Sequence, residues 1–352
     1  MITRSAARDA LLLWFASRAG LLVSTLMGVS LAEYLGKWRA WDAGLFVTIA
    51  EHGYDGDPTR PPDPGLPAFF PGFPMLLRLA HGLGLDWPLA GMLISLVAGA
   101  VAMVALARLA EHEGGTGWVA VAGLLLFPTA LFLAAGYSEA LFLAFAIPAW
   151  LAARQGRWWQ AALLGAGASC VRITGLFLAV ALIVEFCTAR GRLRQSPWLV
   201  VPFLPLAAYS WYHYTRSGDW LAWKHAQEAG WGRDMVWPWQ SFKTTWSAAM
   251  GGDDMAVAFR MEIAAVVVVV AGLVWLLLLR RWSEFVYCGL QAGALMTSAY
   301  YLSIPRSLLL WFPLWVALAR VRHRWVFVVY AAVSGPLMVL NAVRFLTGAW
   351  AG

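Results

Sequence analysis

Four ionisable residues stand out in this 352-residue chain because apolar sequence surrounds them: Asp42, Glu139, Arg172 and Arg306. Asp42 follows Trp41 and opens the pattern W-D-x-x-x-F-x-x-I-A-x-H-G-Y, which carries Phe46, Ile49, Ala50, His52, Gly53 and Tyr54. The spacing of Phe46, Ile49 and Ala50 predicts a short amphipathic helix lying along a membrane, with Asp42 at its N-terminal end. A carboxylate there can cap the helix, and it can also act as a general base at the boundary between water and lipid. The two roles are compatible. Glu139 follows Gly136-Tyr137-Ser138, Arg172 interrupts a largely apolar stretch from Ala161 to Val184, and Arg306 closes Ser303-Ile304-Pro305-Arg306. Ionisable groups at bilayer depth are costly, so they pair with one another or face a cavity. Arg172 and Glu139 therefore read either as a structural ion pair or as two functional groups.

Other polar clusters carry less. Asp55-Gly56-Asp57 has the D-x-D form of a metal-binding motif, but Gly56 and Pro58 make it a turn, and Asp253-Asp254 after Gly251-Gly252 reads as a second one. His213 and His225 flank Asp219 without the i, i+4 spacing of a metal pair on a helix. Cys170, Cys187 and Cys288 sit in apolar stretches without metal-ligand spacing, which makes them packing residues. No metal site or required cofactor is expected, although a divalent metal would be compatible with the chemistry.

The chain that must position these groups is 61% hydrophobic and 13% charged, against about 45–50% and 25% for a soluble domain. A soluble enzyme and a disordered chain are both excluded. The net charge is +7, yet only three residues are lysine and Asn341 is the one asparagine. That bias fits a GC-rich genome. The basic residues are scattered in twos and threes, without the aromatic interleaving of a nucleic-acid footprint. No small-residue cleavage motif follows the first apolar run, so it reads as a helix that is kept.

Runs suited to crossing lie at 10–31, 88–109, 118–134, 138–153, 158–170, 173–187, 198–215, 258–279, 284–302, 305–320 and 325–346. These predict an all-α polytopic membrane protein with about eleven transmembrane helices in a single membrane domain, 1–352. Residues 67–84 open with Pro67, Pro71 and Pro74 and carry Arg78 and His81, which suits an interfacial helix better than a crossing. With eleven crossings and an inner N-terminus, the inner segments hold thirteen arginines against five carboxylates, a net +8, as the positive-inside rule asks. Two long connections, 32–87 and 216–257, then fall outside, where Asp42, Glu139, Arg172 and Arg306 also emerge. Connections of that length are usually functional. We expect 32–87 to be the catalytic loop and both loops to carry short interfacial helices.

Trp41-Asp42 with Ile49-Ala50 and Gly53-Tyr54, Ala68-Phe69-Phe70-Pro71 with Phe73-Pro74, Ala135 to Glu139 with Leu141-Phe142, and Arg172 with Thr174-Gly175 together resemble the PIG-V type mannosyltransferases of GPI-anchor biosynthesis. Gly218-Asp219, His225-Ala226-Gln227, Trp231, Pro238-Trp239 and Ser303 to Arg306 resemble the bacterial branch. The chain departs from the pattern where Ala40 separates Arg39 from Trp41, at Phe127 and at Ser307. The resemblance implies a GT-C fold in a bacterial plasma membrane, a catalytic acid in the first outer loop and a polyprenyl-phosphate sugar as donor. The acceptor would be a lipid-linked or glycolipid hydroxyl. Asp42 would then be the general base, and Arg172 and Arg306 would bind the donor phosphate, which arginine's fork grips bidentately. Trp41, Tyr137, Glu139, His52, Asp219 and His225 would support them.

A glycolipid transporter or flippase would also want intramembrane arginines, and a non-catalytic scaffold is a third class. The absence of an internal repeat and the acidic outer loops favour the enzyme. The sidedness can be tested directly. In a cysteine-free background, a cysteine near Asp57 should react with an impermeant thiol reagent in intact cells, and one near Arg192 should be shielded. Reversed labelling would refute the topology.

Overall fold

The computed structural model describes residues 4–26, 31–252 and 255–352, so the Asp253-Asp254 turn lies outside the described residues. Apolar sequence becomes helix because backbone N–H and C=O groups removed from water must satisfy one another. The first half of the chain gives α1 (Arg4–Thr25), α2 (Leu31–Lys37), α3 (Asp42–His52), α4 (Gly72–Gly82), α5 (Trp87–His112), α6 (Gly117–Leu125), α7 (Ser138–Arg154), α8 (Trp158–Val171) and α9 (Thr174–Thr188). The second half gives α10 (Leu204–Ser217), α11 (Ala222–Trp231), α12 (Pro238–Ala249), α13 (Ala256–Leu278), α14 (Trp282–Met296), α15 (Ile304–Ser307), α16 (Phe312–Ala319) and α17 (Arg324–Leu346). Among the described residues there is no strand, only one isolated antiparallel bridge between Met235 and Ser298.

Among the described residues three helices are long and apolar enough to cross a membrane: α5, α13 and α17. Several of the about eleven runs expected to cross are helices that are broken where the sequence breaks them. The run 118–134 becomes α6 and a 3-10 turn, Ala130–Leu133, on either side of Pro128. The run 198–215 starts inside a 3-10 helix, Leu193–Phe203, that contains Pro197 and Pro202. The run 305–320 divides into α15, a 3-10 turn at Leu308–Leu310 and α16, with Pro305 and Pro313 in the first turns of the two α-helices. Proline lacks the N–H that would carry a helix through those points.

The stretch read as interfacial is α4, whose eleven residues reach only about 16 Å. It buries Phe73 and Leu77 and turns Met75, Leu79 and Leu83 outward. In the second long loop, α12 does the same with larger side chains: Ser241, Thr245 and Ala249 face inward, while Trp239, Phe242, Trp246 and Met250 are exposed. Aromatic side chains arranged this way favour a membrane boundary, where one end of each ring stays wet.

In the bundle, α5 and α8 pack along α7, and α1 packs on α5. Small residues set these approaches. The Trp14 ring occupies the space over Gly99, and its Nε1 donates to Leu96 O at 3.0 Å. A side chain on Gly91 would stand 2.8 Å from the Gly136 Cα.

Two ionic clusters lie at opposite ends of α7, about 22 Å apart along its axis. At its C-terminal end Arg154 meets Glu113, Glu185 and Glu284, and Arg281 meets Glu113 and Glu284. Ser283 Oγ donates to Glu185 Oε2 at 2.5 Å. These residues come from the segments assigned to the inner side, and their mutual contacts draw the ends of α5, α7, α9 and α14 together. The other cluster is the candidate site.

Candidate active site

The N-terminal end of α7 is fixed before any catalytic group is considered. Gly136 lies against Gly91 of α5, and Ser95 Oγ on the same helix donates to Ala135 O at 2.6 Å. Only glycine permits that backbone approach. Tyr137 is thereby buried with its hydroxyl donating to Ala40 O at 3.0 Å, which ties α7 to the first long loop two residues before Asp42. Trp41, in between, takes φ 57° and ψ −129°. A non-glycine residue there costs on the order of 1–3 kcal/mol and persists only when its neighbours hold it.

Asp42 is the first residue of α3, and the helix buries Ala43, Phe46, Val47, Ile49 and Ala50, three of which, Phe46, Ile49 and Ala50, gave the spacing that predicts a helix here. The cap position is Trp41, so capping does not occupy the Asp42 carboxylate. Its Oδ2 accepts from Arg306 Nη1 at 2.6 Å. Arg306 Nε donates to Glu139 Oε1 at 2.5 Å, and the same oxygen accepts from Arg172 Nη1 at 2.8 Å. Arg172 Nη1 also reaches Ser138 Oγ at 2.6 Å. The four residues form one chain of alternating charge, Asp42, Arg306, Glu139, Arg172. Glu139 and Arg306 are buried, and the Arg306 guanidinium carbon lies 4.8 Å from the Tyr137 ring centroid and 5.1 Å from that of Phe132. The Arg172–Glu139 pair read from the sequence is present, and it is half of this longer chain.

Each arginine enters from a break in helical structure. Arg172 is extended, φ −152° and ψ 151°, between α8 and α9, where Gly175 sits on the Ser169 backbone with no room for a side chain. Arg306 lies in the four-residue α15, which starts after Ser303 in a left-handed conformation. Glu262 of α13 holds that turn: its Oε1 accepts from Ser303 N at 2.6 Å and its Oε2 from Ile304 N at 2.8 Å. Thr129 Oγ1 donates to Pro305 O at 2.9 Å on the other side.

Asp42, Arg172 and Arg306 line one cavity of about 380 Å³. One flank is apolar, with Val171, Ile173, Leu176, Phe177 and Leu295. A further part of the lining belongs to α11 and the segment after it, with Trp223, Lys224, Gln227, Glu228, Trp231 and Arg233. The two long loops meet here: a side chain on Gly230 would stand 2.9 Å from the Gly65 Cα, and Trp231 packs edge-on against Phe69. Around the cavity several buried polar atoms have no protein partner: Trp223 Nε1, Thr174 Oγ1, Gln291 Oε1, Ser298 Oγ and Arg233 Nε. Donors and acceptors left open around the cavity suit a ligand rich in hydroxyl groups.

Not every residue singled out from the sequence comes to this wall. His52, at the far end of α3, pairs with Glu51 at 3.7 Å and does not line the cavity. Asp219 and His225 pair at 2.7 Å outside it, and Asp219 Oδ1 accepts from Leu221 N at 2.8 Å to close the turn into α11. Those contacts hold the Asp219 carboxyl below its ordinary range, the His225 hydrogen bond most of all. Trp41 is half-exposed and meets the cavity through Trp350, edge-on at 5.4 Å. Asp55 pairs with Arg216, and Asp57 accepts from Thr59 N at 2.9 Å, so D-x-D is a turn. Among the described residues no three of His, Cys, Asp or Glu are gathered as metal ligands. Arg233 and Glu262 were not picked out from the sequence. Glu262 carries a readable signal, a lone carboxylate inside an apolar span, whereas Arg233 carries none beyond its place in a long loop.

Glu262→Ala should destabilise the protein by about 1–3 kcal/mol for each N–H left without an acceptor. Glu262→Gln, which keeps one acceptor oxygen, should cost less. Thermal unfolding of the detergent-solubilised protein reads both.

Comparison with known proteins places the chain. It is 34% identical over 212 residues to GPI alpha-1,6-mannosyltransferase 2 of Rattus norvegicus, covering 52% of this chain and 41% of that one. The Mus musculus protein of the same name is 38% identical over 183 residues, 47% of this chain and 35% of its own. The Homo sapiens protein matches at 34% over 212 residues, with shares of 52% and 41%. The matched stretch thus covers less than half the length of these relatives. No solved structure matches. The sequence model of the mannosyltransferase (PIG-V) family matches residues 9–190, more than half of the chain and the part that holds Asp42, Glu139 and Arg172, so the chain belongs to that family.

Proposed function

We propose that this chain is a multi-pass membrane enzyme that transfers mannose, with inversion, from a polyprenyl-phosphate-mannose donor to a hydroxyl of a lipid-linked or glycolipid acceptor. The reaction takes place on the outer face of a bacterial plasma membrane. The observation that carries this reading is the Asp42 carboxylate in the wall of a cavity that has arginines beside it and an apolar flank leading away. Membership of the PIG-V family and similarity to GPI alpha-1,6-mannosyltransferase 2 support mannose as the sugar. An outward site supports a lipid-carried donor, because nucleotide sugars are cytoplasmic.

The chemistry follows from the charges. The acceptor oxygen attacks the anomeric carbon from the face opposite the phosphate, a C–O bond forms, and the bond from that carbon to the phosphate oxygen breaks. Asp42 takes the acceptor proton through Oδ1, since Oδ2 is held by Arg306. The electron pair of the broken bond leaves on the lipid phosphate. That group is a stable anion and needs cations more than an acid. Arg172 supplies one, and Arg306 adds charge while its shared guanidinium aims Asp42. The polyprenyl chain lies along Val171, Ile173, Leu176, Phe177 and Leu295, and the sugar meets the open polar atoms of the cavity.

Purified protein incubated with radiolabelled polyprenyl-phosphate-mannose and a membrane lipid extract should release a labelled glycolipid. Asp42→Asn keeps the shape of the side chain and should lower turnover by about 10²–10⁴ while the protein still folds. Near-normal turnover would remove Asp42 from this role and turn attention to Glu228, the other carboxylate on the cavity wall.

A further inference from the structure

The charges around the cavity do not cancel. Asp42 and Glu139 balance Arg306 and Arg172 within the ionic chain, and Lys224 Nζ is paired with Glu228 Oε1 at 2.7 Å. Arg233 remains. Its Nη1 and Nη2 make two long hydrogen bonds, to Gln227 Oε1 and Leu302 O, both at 3.3 Å, and its buried Nε has no partner. Asp42, Arg306, Glu262 and Tyr300 act on it through space. Glu262 spends both oxygens on backbone N–H groups, and among the described residues no carboxylate is ion-paired to Arg233. The segment that carries it is held in place: Met235 bridges to Ser298, and Val236 N donates to Thr297 O at 2.8 Å, clamping the segment after α11 onto the segment after α14. A half-buried guanidinium at a cavity wall, whose buried Nε has no partner and which no carboxylate contacts among the described residues, has a donor to offer an anion from outside the chain.

We propose that Arg233 is a phosphate ligand of this cavity and that, with Arg172, it grips a lipid monophosphate between the second long loop and the α8–α9 break. This deepens the donor assignment above and rests on it. The ionic chain already occupies Arg306 Nε and Nη1, so the phosphate finds its free donors on Arg233. The phosphate therefore lies toward the strap that carries Arg233, and its lipid leaves along the apolar flank.

The test is calorimetric binding of farnesyl phosphate to the full-length protein in detergent. Wild type should bind, Arg233→Gln should bind about 10–100-fold more weakly, the usual weight of a charged hydrogen bond, and Arg233→Lys should fall between. Arg233→Gln binding as tightly as wild type, with only its melting temperature reduced, would make Arg233 structural and overturn the proposal. Failure of wild type to bind farnesyl phosphate would also overturn it, as would inorganic phosphate binding equally well, which would remove the lipid from the assignment. If Arg233→Gln does not survive extraction, Arg233→Lys is compared with Arg216→Lys, an exposed arginine away from the cavity. Weaker binding in Arg233→Lys alone supports the proposal, and equal binding refutes it. Turnover is not used, so a wild type that binds farnesyl phosphate through Arg233 yet transfers no mannose would refute the transfer reaction and not the phosphate contact.

Discussion

A guanidinium shared between two carboxylates holds the bundle together at the N-terminal end of α7. Arg306 is buried, with Nε on Glu139 and Nη1 on Asp42, and Glu139 passes its oxygen on to Arg172. Any one of these charges alone in an apolar interior would cost several kcal/mol, which the protein avoids only by keeping all four in register. Four separate parts of the chain must therefore meet: the start of α3, the start of α7, the break between α8 and α9, and the short α15.

The unusual local features are intelligible as consequences of that requirement. Gly136 against Gly91 lets α7 begin close enough to α5 for Glu139 to point inward. The Tyr137 hydroxyl on Ala40 O holds the strained Trp41, which sets the direction of Asp42. Glu262 stabilises a turn that begins with a left-handed serine and delivers Arg306. Helical regularity is given up where Arg172 and Arg306 enter the ionic chain, and it is kept in α5, α13 and α17, which carry no part of that chain.

The sequence made much of this visible, because a charge inside apolar sequence is a conspicuous cost. Asp42, Glu139, Arg172 and Arg306 could all be picked out on that ground, and all four join one chain of contacts. His52 could not be placed by its motif: ten residues along a helix from Asp42 is about 15 Å, so proximity in sequence meant separation in space. Asp219 and His225 satisfy each other and close a turn. Arg233 was illegible because its position depends on the pairing of residues 235–236 with 297–298, a contact across the fold that no local pattern announces.

The account stands or falls on whether the ionic chain acts as one unit. Asp42 and Glu139 share Arg306 as a common partner, so their substitutions should be coupled through it. A double-mutant cycle of Asp42→Asn and Glu139→Gln, read by unfolding in detergent, should give a coupling energy of at least about 1 kcal/mol, as expected for sites with a shared partner. Effects that add to within about 0.5 kcal/mol would contradict it and make the site two independent ion pairs.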